Sequence, residues 1–253
     1  MESIVGLVIT IQLQCDVVSN TEIALDIFDM TLDAPEIARV AHAGQFLHIF
    51  NDSPDMLLPR PISICAIDAE SGRLRVVFRA KGAGTRLISR KTRLRALGPL
   101  GNGYDTSSMS KKILIVGGGL GVPPLLELSR RVAEPQVFLG FRDEASMILQ
   151  NDFTEAETAT DDGSFGFCGN AVDLARRKAR DFDLIVACGP KPLLRAVAGF
   201  ADEKGVPALV SVEERMACGI GACVGCVIKT KSGYRKVCVD GPVFRADEVV
   251  WDD

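Results

Sequence analysis

A chain of 253 residues, 47% apolar and 25% charged, is long enough for one large or two average domains and would bury about 70–75% of its unfolded surface, which excludes intrinsic disorder. Its 29 Lys and Arg against 33 Asp and Glu leave a net charge of −4, the wrong sign for a chain whose main partner is a nucleic acid. The start, Ile4–Leu13, is broken by Thr10 and Gln12, follows Glu2 without Lys or Arg, and has no apolar run of about 18 residues behind it. We therefore expect no signal peptide, no membrane span and a cytoplasmic location.

From Ile4 to about Tyr104 the apolar residues come in short runs rich in β-branched and aromatic side chains: Ile4–Leu13, Phe46–Phe50, Ile62–Ile67 and Leu74–Phe78. Gly, Pro, Asn and Asp clusters separate them, so residues 1–105 read as an antiparallel β-barrel. From Lys111 the rhythm becomes strand then helix. Strands are expected at Ile113–Val116, Val137–Gly140, Leu184–Ala187 and Ala208–Val212, with helices over 123–133, 171–180 and 191–204. Residues 106–212 are thus expected to form an α/β domain on a parallel sheet, reached through the linker Asp105–Lys112. Residues 213–253 have too little apolar content for a core of their own and hold four close cysteines, which points to a cofactor as a staple.

Within the barrel, Arg60-Pro61-Ile62-Ser63 sets a guanidinium and a hydroxyl on a strand entry stiffened by proline, and Arg79–Arg86 is a glycine loop opening a short helix. Both suit phosphate, although singly Arg60 also suits a solvated surface and Gly82–Thr85 a plain turn. In the α/β region the run Ile113–Val116 passes through Gly117, Gly118, Gly119 and Gly121 into a helix with Pro123 in its first turn, where backbone N–H groups would face a pyrophosphate. The G-x-G-x-x-G fingerprint is incomplete, since Val122 or Pro124 stands where the third glycine belongs. Cys188-Gly189-Pro190 ends a second strand at the same sheet edge, and Cys188 alone also reads as a small buried hydrophobe.

With only His42 and His48, the chain lacks the usual ligands of histidine metal sites and the usual base of hydrolases. Four of its eight cysteines (Cys15, Cys65, Cys168 and Cys188) are scattered. The other four, Cys218, Cys223, Cys226 and Cys238, follow C-x4-C-x2-C with a distant fourth thiolate, the spacing of a plant-type 2Fe-2S cluster. Gly219, Gly221 and Gly225 leave room for sulfide against the backbone. Zinc competes, because four thiolates fill a tetrahedral site, although only one compact C-x2-C pair is present; free thiols are the third reading.

Together these residues resemble the ferredoxin reductase-like flavoproteins and, within them, the electron-transfer subunits of NAD-dependent (B-type) dihydroorotate dehydrogenase. The resemblance covers nearly the whole chain. It is carried by Gly44-Gln45-Phe46, Arg60–Ser63, Lys81–Thr85, Leu97–Gly101, Gly117–Gly121, Cys188–Pro190, and most specifically by Glu214–Cys226 with Val237–Phe244. It implies that Arg60, Pro61, Ile62 and Ser63 hold FAD, with the serine near the ring and the arginine on the phosphates, and that Phe78, Arg79, Gly84 and Thr85 complete that site. Gly117, Gly118, Gly119, Gly121, Cys188, Gly189 and Pro190 would receive NAD(H), with Cys188 near the hydride-transfer position, and Cys218, Cys223, Cys226 and Cys238 would bind the 2Fe-2S cluster. His42 and His48 match no cofactor motif and are expected to be structural.

By the same resemblance the chain works with an FMN-containing dihydroorotate dehydrogenase catalytic subunit, two of each in a heterotetramer, in pyrimidine biosynthesis. No acid–base pair for oxidising a dihydropyrimidine is evident here, so activity is expected of the complex. Asp143 and Glu144 after Phe141-Arg142, in place of a basic pair, favour NAD over NADP. The competing readings are an electron-bifurcating or sulfite-reductase type flavoprotein subunit and a zinc-stapled nucleotide-binding module.

Overall fold

In the computed structural model, which describes residues 10–107, 109 and 112–251, six antiparallel strands close into a barrel. They are β1 (Ile11–Ala24), β2 (Ile27–Asp33), β3 (Phe46–Phe50), β4 (Arg60–Asp68), β5 (Arg73–Arg79) and β6 (Arg93–Leu100), in the order β1-β2-β5-β4-β3-β6. The single turn α1 (Pro35–Ala38) follows β2, and α2 (Ala83–Ile88) follows β5. Strand alternation fills the barrel: Leu47, Ile49, Ile64, Leu74, Val76 and Leu94 point inward and are wholly buried. The barrel is as expected from the sequence, with two differences. Of the expected first strand, Ile4–Ile9 lies outside the described residues, and β1 runs on to Ala24; β2 and β6 carry Asp29, Thr31, Arg93 and Arg95 between their apolar residues and so lack the continuous runs sought in the sequence.

The second layer is a seven-stranded sheet ordered β10-β9-β8-β7-β11-β12-β15. Its parallel centre is β7 (Ile113–Gly118), β8 (Gln136–Phe141), β11 (Leu184–Cys188) and β12 (Ala208–Ser211), linked through α3 (Pro123–Arg131), α4 (Ala171–Lys178) and α5 (Lys191–Lys204). Buried on both faces, β7 and β11 consist of apolar residues and glycine, as a parallel sheet requires. Two short parallel strands, β9 (Glu157–Thr160) and β10 (Phe167–Cys168), extend one edge.

The last segment adds the hairpin β13 (Val227–Thr230) and β14 (Gly233–Lys236), the turn α6 (Val237–Asp240), and β15 (Val243–Arg245), which pairs antiparallel with β12 at the other edge of the sheet. Its Cys226, Val237, Cys238, Phe244 and Val249 share one apolar core with β7, α4 and α5. The segment therefore borrows the core it cannot build alone.

Polar contacts fix the barrel against the sheet. The Ile67 N–H donates to Glu127 of α3 at 2.8 Å, Glu127 holds Arg131 at 2.6 Å, and Arg75 bridges Asp29 on β2 and Asp152 beyond β8. No helix among the described residues is long and apolar enough to cross a membrane.

Candidate functional site

The first site opens where the barrel faces the sheet. A cavity of about 390 Å³ is lined by Phe46, Pro61, Ile62, Ser63, Phe78, Arg79 and Thr85, among others. Antiparallel pairing sets Phe46 of β3 opposite Ser63 of β4, so an aromatic wall and a hydroxyl arrive together. Arg60 donates from Nη1 to the Leu58 carbonyl at 2.6 Å. Its guanidinium also lies against Gly84: a Cβ there would come within 2.6 Å of Nη2. Two motifs that are 24 residues apart in sequence (60 and 84) thus meet, with the Arg60 guanidinium laid over Gly84. Thr85 turns its hydroxyl onto the Gly82 N–H at 3.2 Å and shapes the first turn of α2.

A second cavity, of about 580 Å³, lies over the carboxyl ends of β7 and β11, with Gly118, Gly119, Gly121, Gly189 and Pro190 in its wall. This is the crevice in which open α/β sheets bind ligands. The two glycine turns touch: a Cβ on Gly121 would lie 2.4 Å from the Cys188 carbonyl carbon and oxygen and from the Gly189 nitrogen, and one on Gly189 would lie 3.3 Å from the Gly118 nitrogen. Gly119 differs, being left-handed at φ +53° with open space beside it. Gly117 lies deeper, packed among Val122, Leu125 and Leu139. Cys188 is wholly buried, with its thiol beside Ser211, and burial raises its pKa. Its backbone shapes the turn while its sulfur is packed into the core.

Arg79, Leu120 and Glu213 line both cavities, so the two sites lie side by side and share a wall. Glu213 was missed in the sequence reading; the available signal was its place just past the end of β12, at the same sheet edge as the other turns. The protein packed around its carboxyl raises its affinity for a proton. Arg142 also faces the second cavity, and Asp143 is committed to it at 2.8 Å and to capping the turn at Ser146.

The four clustered cysteines come together beside the barrel. Cys226 and Cys238 are buried and Cys218 and Cys223 half-buried. The Cys223 N–H donates to Cys218 Sγ at 3.3 Å, and the Gly225 N–H to Cys223 Sγ at 3.4 Å. Burial opposes ionisation of Cys218, yet the N–H groups of Cys223, Ile220 and Ala222 bring its thiol down to about 7. Cys238, buried with Cys226 beside it, is pushed up to about 12. Among the described residues no three His, Cys, Asp or Glu side chains close around one metal ion. Cys218 interacts with the Cys223 side chain and Cys238 with that of Cys226, and the charge of Cys218 also reaches Cys238. Gly219 and Gly221 hold the loop in left-handed turns at φ +71° and +79°. Gly219 lies directly against the ring of His48.

Residues 213–250 match the iron–sulfur cluster binding domain of dihydroorotate dehydrogenase B. The chain is 42% identical to the dihydroorotate dehydrogenase B (NAD(+)) electron transfer subunit of Geobacillus thermodenitrificans, over 92% of this chain and 96% of that one. It is 43% identical to the same subunit of Bacillus pumilus, with equal coverage. Among solved structures it resembles an NADH-dependent reduced ferredoxin-NADP oxidoreductase studied for flavin-based electron bifurcation, with a TM-score of 0.83 and 30% identity over 94% of this chain and 90% of that one. The ferredoxin reductase of carbazole 1,9a-dioxygenase shares the fold, with a TM-score of 0.66 and 20% identity over 79% of this chain and 68% of that one.

Proposed function

The chain belongs to the family of dihydroorotate dehydrogenase B electron-transfer subunits, and from that membership we propose that it carries electrons between NAD and a catalytic partner by way of FAD and a 2Fe-2S cluster. The observation that carries the proposal is the shared wall of Arg79, Leu120 and Glu213, which sets a barrel cavity and a glycine-turn cavity side by side.

Residues 1–105 are the FAD-binding part, 106–212 the NAD-binding part and 213–253 the cluster-binding part. The barrel cavity fits a flavin dinucleotide. Phe46, Pro61 and Ile62 offer apolar contact to a ring system, the Ser63 hydroxyl meets its polar edge, and Arg60, pressed onto Gly84 at the start of α2, offers its guanidinium to phosphate. Phe78, Arg79 and Thr85 close the same wall. The N–H groups of Gly118, Gly119 and Gly121 at the start of α3, with Gly189 and Pro190, receive a dinucleotide pyrophosphate. Gly117 and Cys188 act from behind, by keeping the two turns in contact. Four cysteines within electrostatic reach of one another suit a two-iron cluster, in which each iron takes two protein ligands. When bound, nicotinamide supplies or receives hydride, flavin converts between two-electron and one-electron transfer, and the cluster moves single electrons.

The catalytic partner carries FMN, forms orotate and assembles two-to-two with this chain. Exposed apolar side chains beside the cysteine loop support a covered surface there: Val224 is 74% exposed, Ile220 54% and Val239 39%.

The test is to purify the chain with its cofactors, measure flavin, iron and sulfide per chain, reduce it with NADH, and then add the FMN-containing subunit with dihydroorotate and NAD+. The expected result is a flavin and 2Fe-2S absorption spectrum that bleaches with NADH, and dihydroorotate-dependent NAD+ reduction only in the mixture. Dihydroorotate oxidation by this chain alone, or zinc in place of iron, would overturn the proposal.

A further inference from the structure

β3 carries two outward-facing rings with different neighbours. Leu47 and Ile49 fill the barrel, while Phe46 lines the flavin cavity and His48 points at the cysteine loop. The two rings lie 5.8 Å apart, tilted at 58°. His48 is 0% exposed, and among the described residues neither of its ring nitrogens meets a hydrogen-bond partner. Buried polar groups are satisfied almost everywhere in proteins, and an apolar side chain would fill this place without the desolvation cost.

The ring lies directly against the cysteine loop. A Cβ on Gly219 would lie 2.5 Å from Cε1, 2.7 Å from Nδ1 and 2.9 Å from Nε2 of His48, so the loop packs on the face of the imidazole over Cε1 and the two nitrogens lie at the margin of that contact. Gly219 directly follows Cys218, and its φ of +71° together with this contact leaves no room for a side chain. Burial lowers the His48 pKa to about 4, so near neutral pH the ring is uncharged and carries one N–H.

Resting on the reading of Cys218, Cys223, Cys226 and Cys238 as cluster ligands, we propose that His48 donates a hydrogen bond to the 2Fe-2S centre held by the Cys218–Cys226 loop and sets its reduction potential. Reduction adds one negative charge to the iron, sulfide and thiolate assembly. An N–H donor stabilises the more negative form more strongly, so His48 holds the potential up. It adds a side-chain donor to the backbone N–H groups of Cys223 and Gly225, which already face sulfur. Because Phe46 lies two residues away on the same strand, the residue that tunes the cluster shares its backbone with a wall of the flavin cavity.

The experiment compares wild-type chain, His48→Leu and His48→Gln, each purified with cofactors, by iron and sulfide content, EPR-monitored redox titration, and pulsed EPR of the reduced cluster in protein labelled with 15N-histidine. Leu removes the donor and Gln keeps one. The expected result is a loaded cluster in both variants. At a fixed ambient potential the reduced-to-oxidised ratio in His48→Leu falls about tenfold, equivalent to a downward shift of ~59 mV for a one-electron couple. His48→Gln recovers most of the shift, and the histidine nitrogen coupling of wild type disappears in both.

A loaded His48→Leu cluster at the wild-type potential overturns the proposal, as do equal shifts in the two variants, which would make the ring a filler. If His48→Leu loses its iron, a loaded His48→Gln near the wild-type potential supports the proposal, and equal loss from both refutes it. The iron and sulfide content of the wild-type chain is a separate readout, and an iron-free wild type refutes the cluster reading itself and His48 with it.

Discussion

The glycine turn over residues 117–121 and the cysteine loop over residues 218–226 each use glycines to bring backbone close to something, but the close approach has different objects. At the turn, Gly121 is pressed onto the backbone of Cys188 and Gly189, and both faces of the contact belong to the protein. At the loop, backbone N–H groups converge on sulfur, the ring of His48 packs against Gly219, and the apolar side chains of Ile220 and Val224 face outward. A site made by protein packing exists before its ligand arrives and is sensitive to added volume. A site made of converging donors takes its stability from what it holds and is sensitive to loss of ligand atoms.

The largest expected effect comes from breaking the loop at a ligand. Changes to groups that merely support a metal ligand cost about 10–100-fold in affinity or activity, so removing a thiolate with Cys223→Ser takes electron transfer to the partner to background. FAD content and NADH oxidation by an artificial acceptor stay near wild type, because the flavin and dinucleotide cavities contain none of the four cysteines. Loss of NADH-dependent flavin bleaching in that variant, with FAD still bound, would show that the two sites are not separable.

The turn breaks by volume instead. Gly121→Ala places a methyl 2.4 Å from backbone atoms that cannot rotate away. Overpacking of this kind costs about 3 kcal/mol or more, which in a chain of this size lowers Tm by about 6–12 °C. Thermal unfolding with and without NADH checks this, and a wild-type Tm would mean that the two turns separate freely.

How far these sites were legible in the sequence follows the same division. The cysteine spacing is a local pattern and could be read, and so could the strand–glycine–helix order around Gly117. The contacts between Gly84 and Arg60, Gly121 and Cys188, and Gly219 and His48 join motifs distant in the chain, and no local periodicity encodes them. His48 looked structural because it matches no motif; its significance lies in an unpartnered, buried ring packed against Gly219. In the barrel, β6 could have been read from the alternation Arg93-Leu94-Arg95-Ala96, whereas β15 has only three residues and is a strand because β12 offers an edge. Glu213 can be placed at the sheet edge by its position just past β12, but its part in both cavity walls depends on the barrel and the sheet coming together, which no local pattern encodes.

The barrel site stands between the two cases, since Arg60 is positioned by protein contacts and is proposed to meet a ligand. Arg60→Ala removes a charge-assisted contact worth about 1.5–3 kcal/mol, so FAD affinity is expected to fall about 10- to 150-fold while the barrel stays folded. Flavin titration of the apoprotein measures it. An unchanged dissociation constant would leave Arg60 with only its bonds to the Leu58 and Pro59 carbonyls.

The smallest effect on stability, and the sharpest on the comparison, is expected at Gly119. It belongs to the same turn as Gly121 but has open space where a Cβ would go, and its only constraint is φ +53°. Alanine there meets the left-handed penalty alone, about 1 kcal/mol, or about 2–4 °C in Tm. The new methyl stands in the wall of the dinucleotide cavity rather than against the core. Gly119→Ala is therefore expected to raise KM for NADH with a modest loss of Tm, whereas Gly121→Ala loses Tm first. Steady-state NADH oxidation with an artificial acceptor, set beside thermal unfolding of the two variants, separates the cases. Equal losses of Tm would mean that the turn is constrained by its dihedral angles rather than by the contact with Cys188, and a wild-type KM in Gly119→Ala would place the dinucleotide away from this part of the wall.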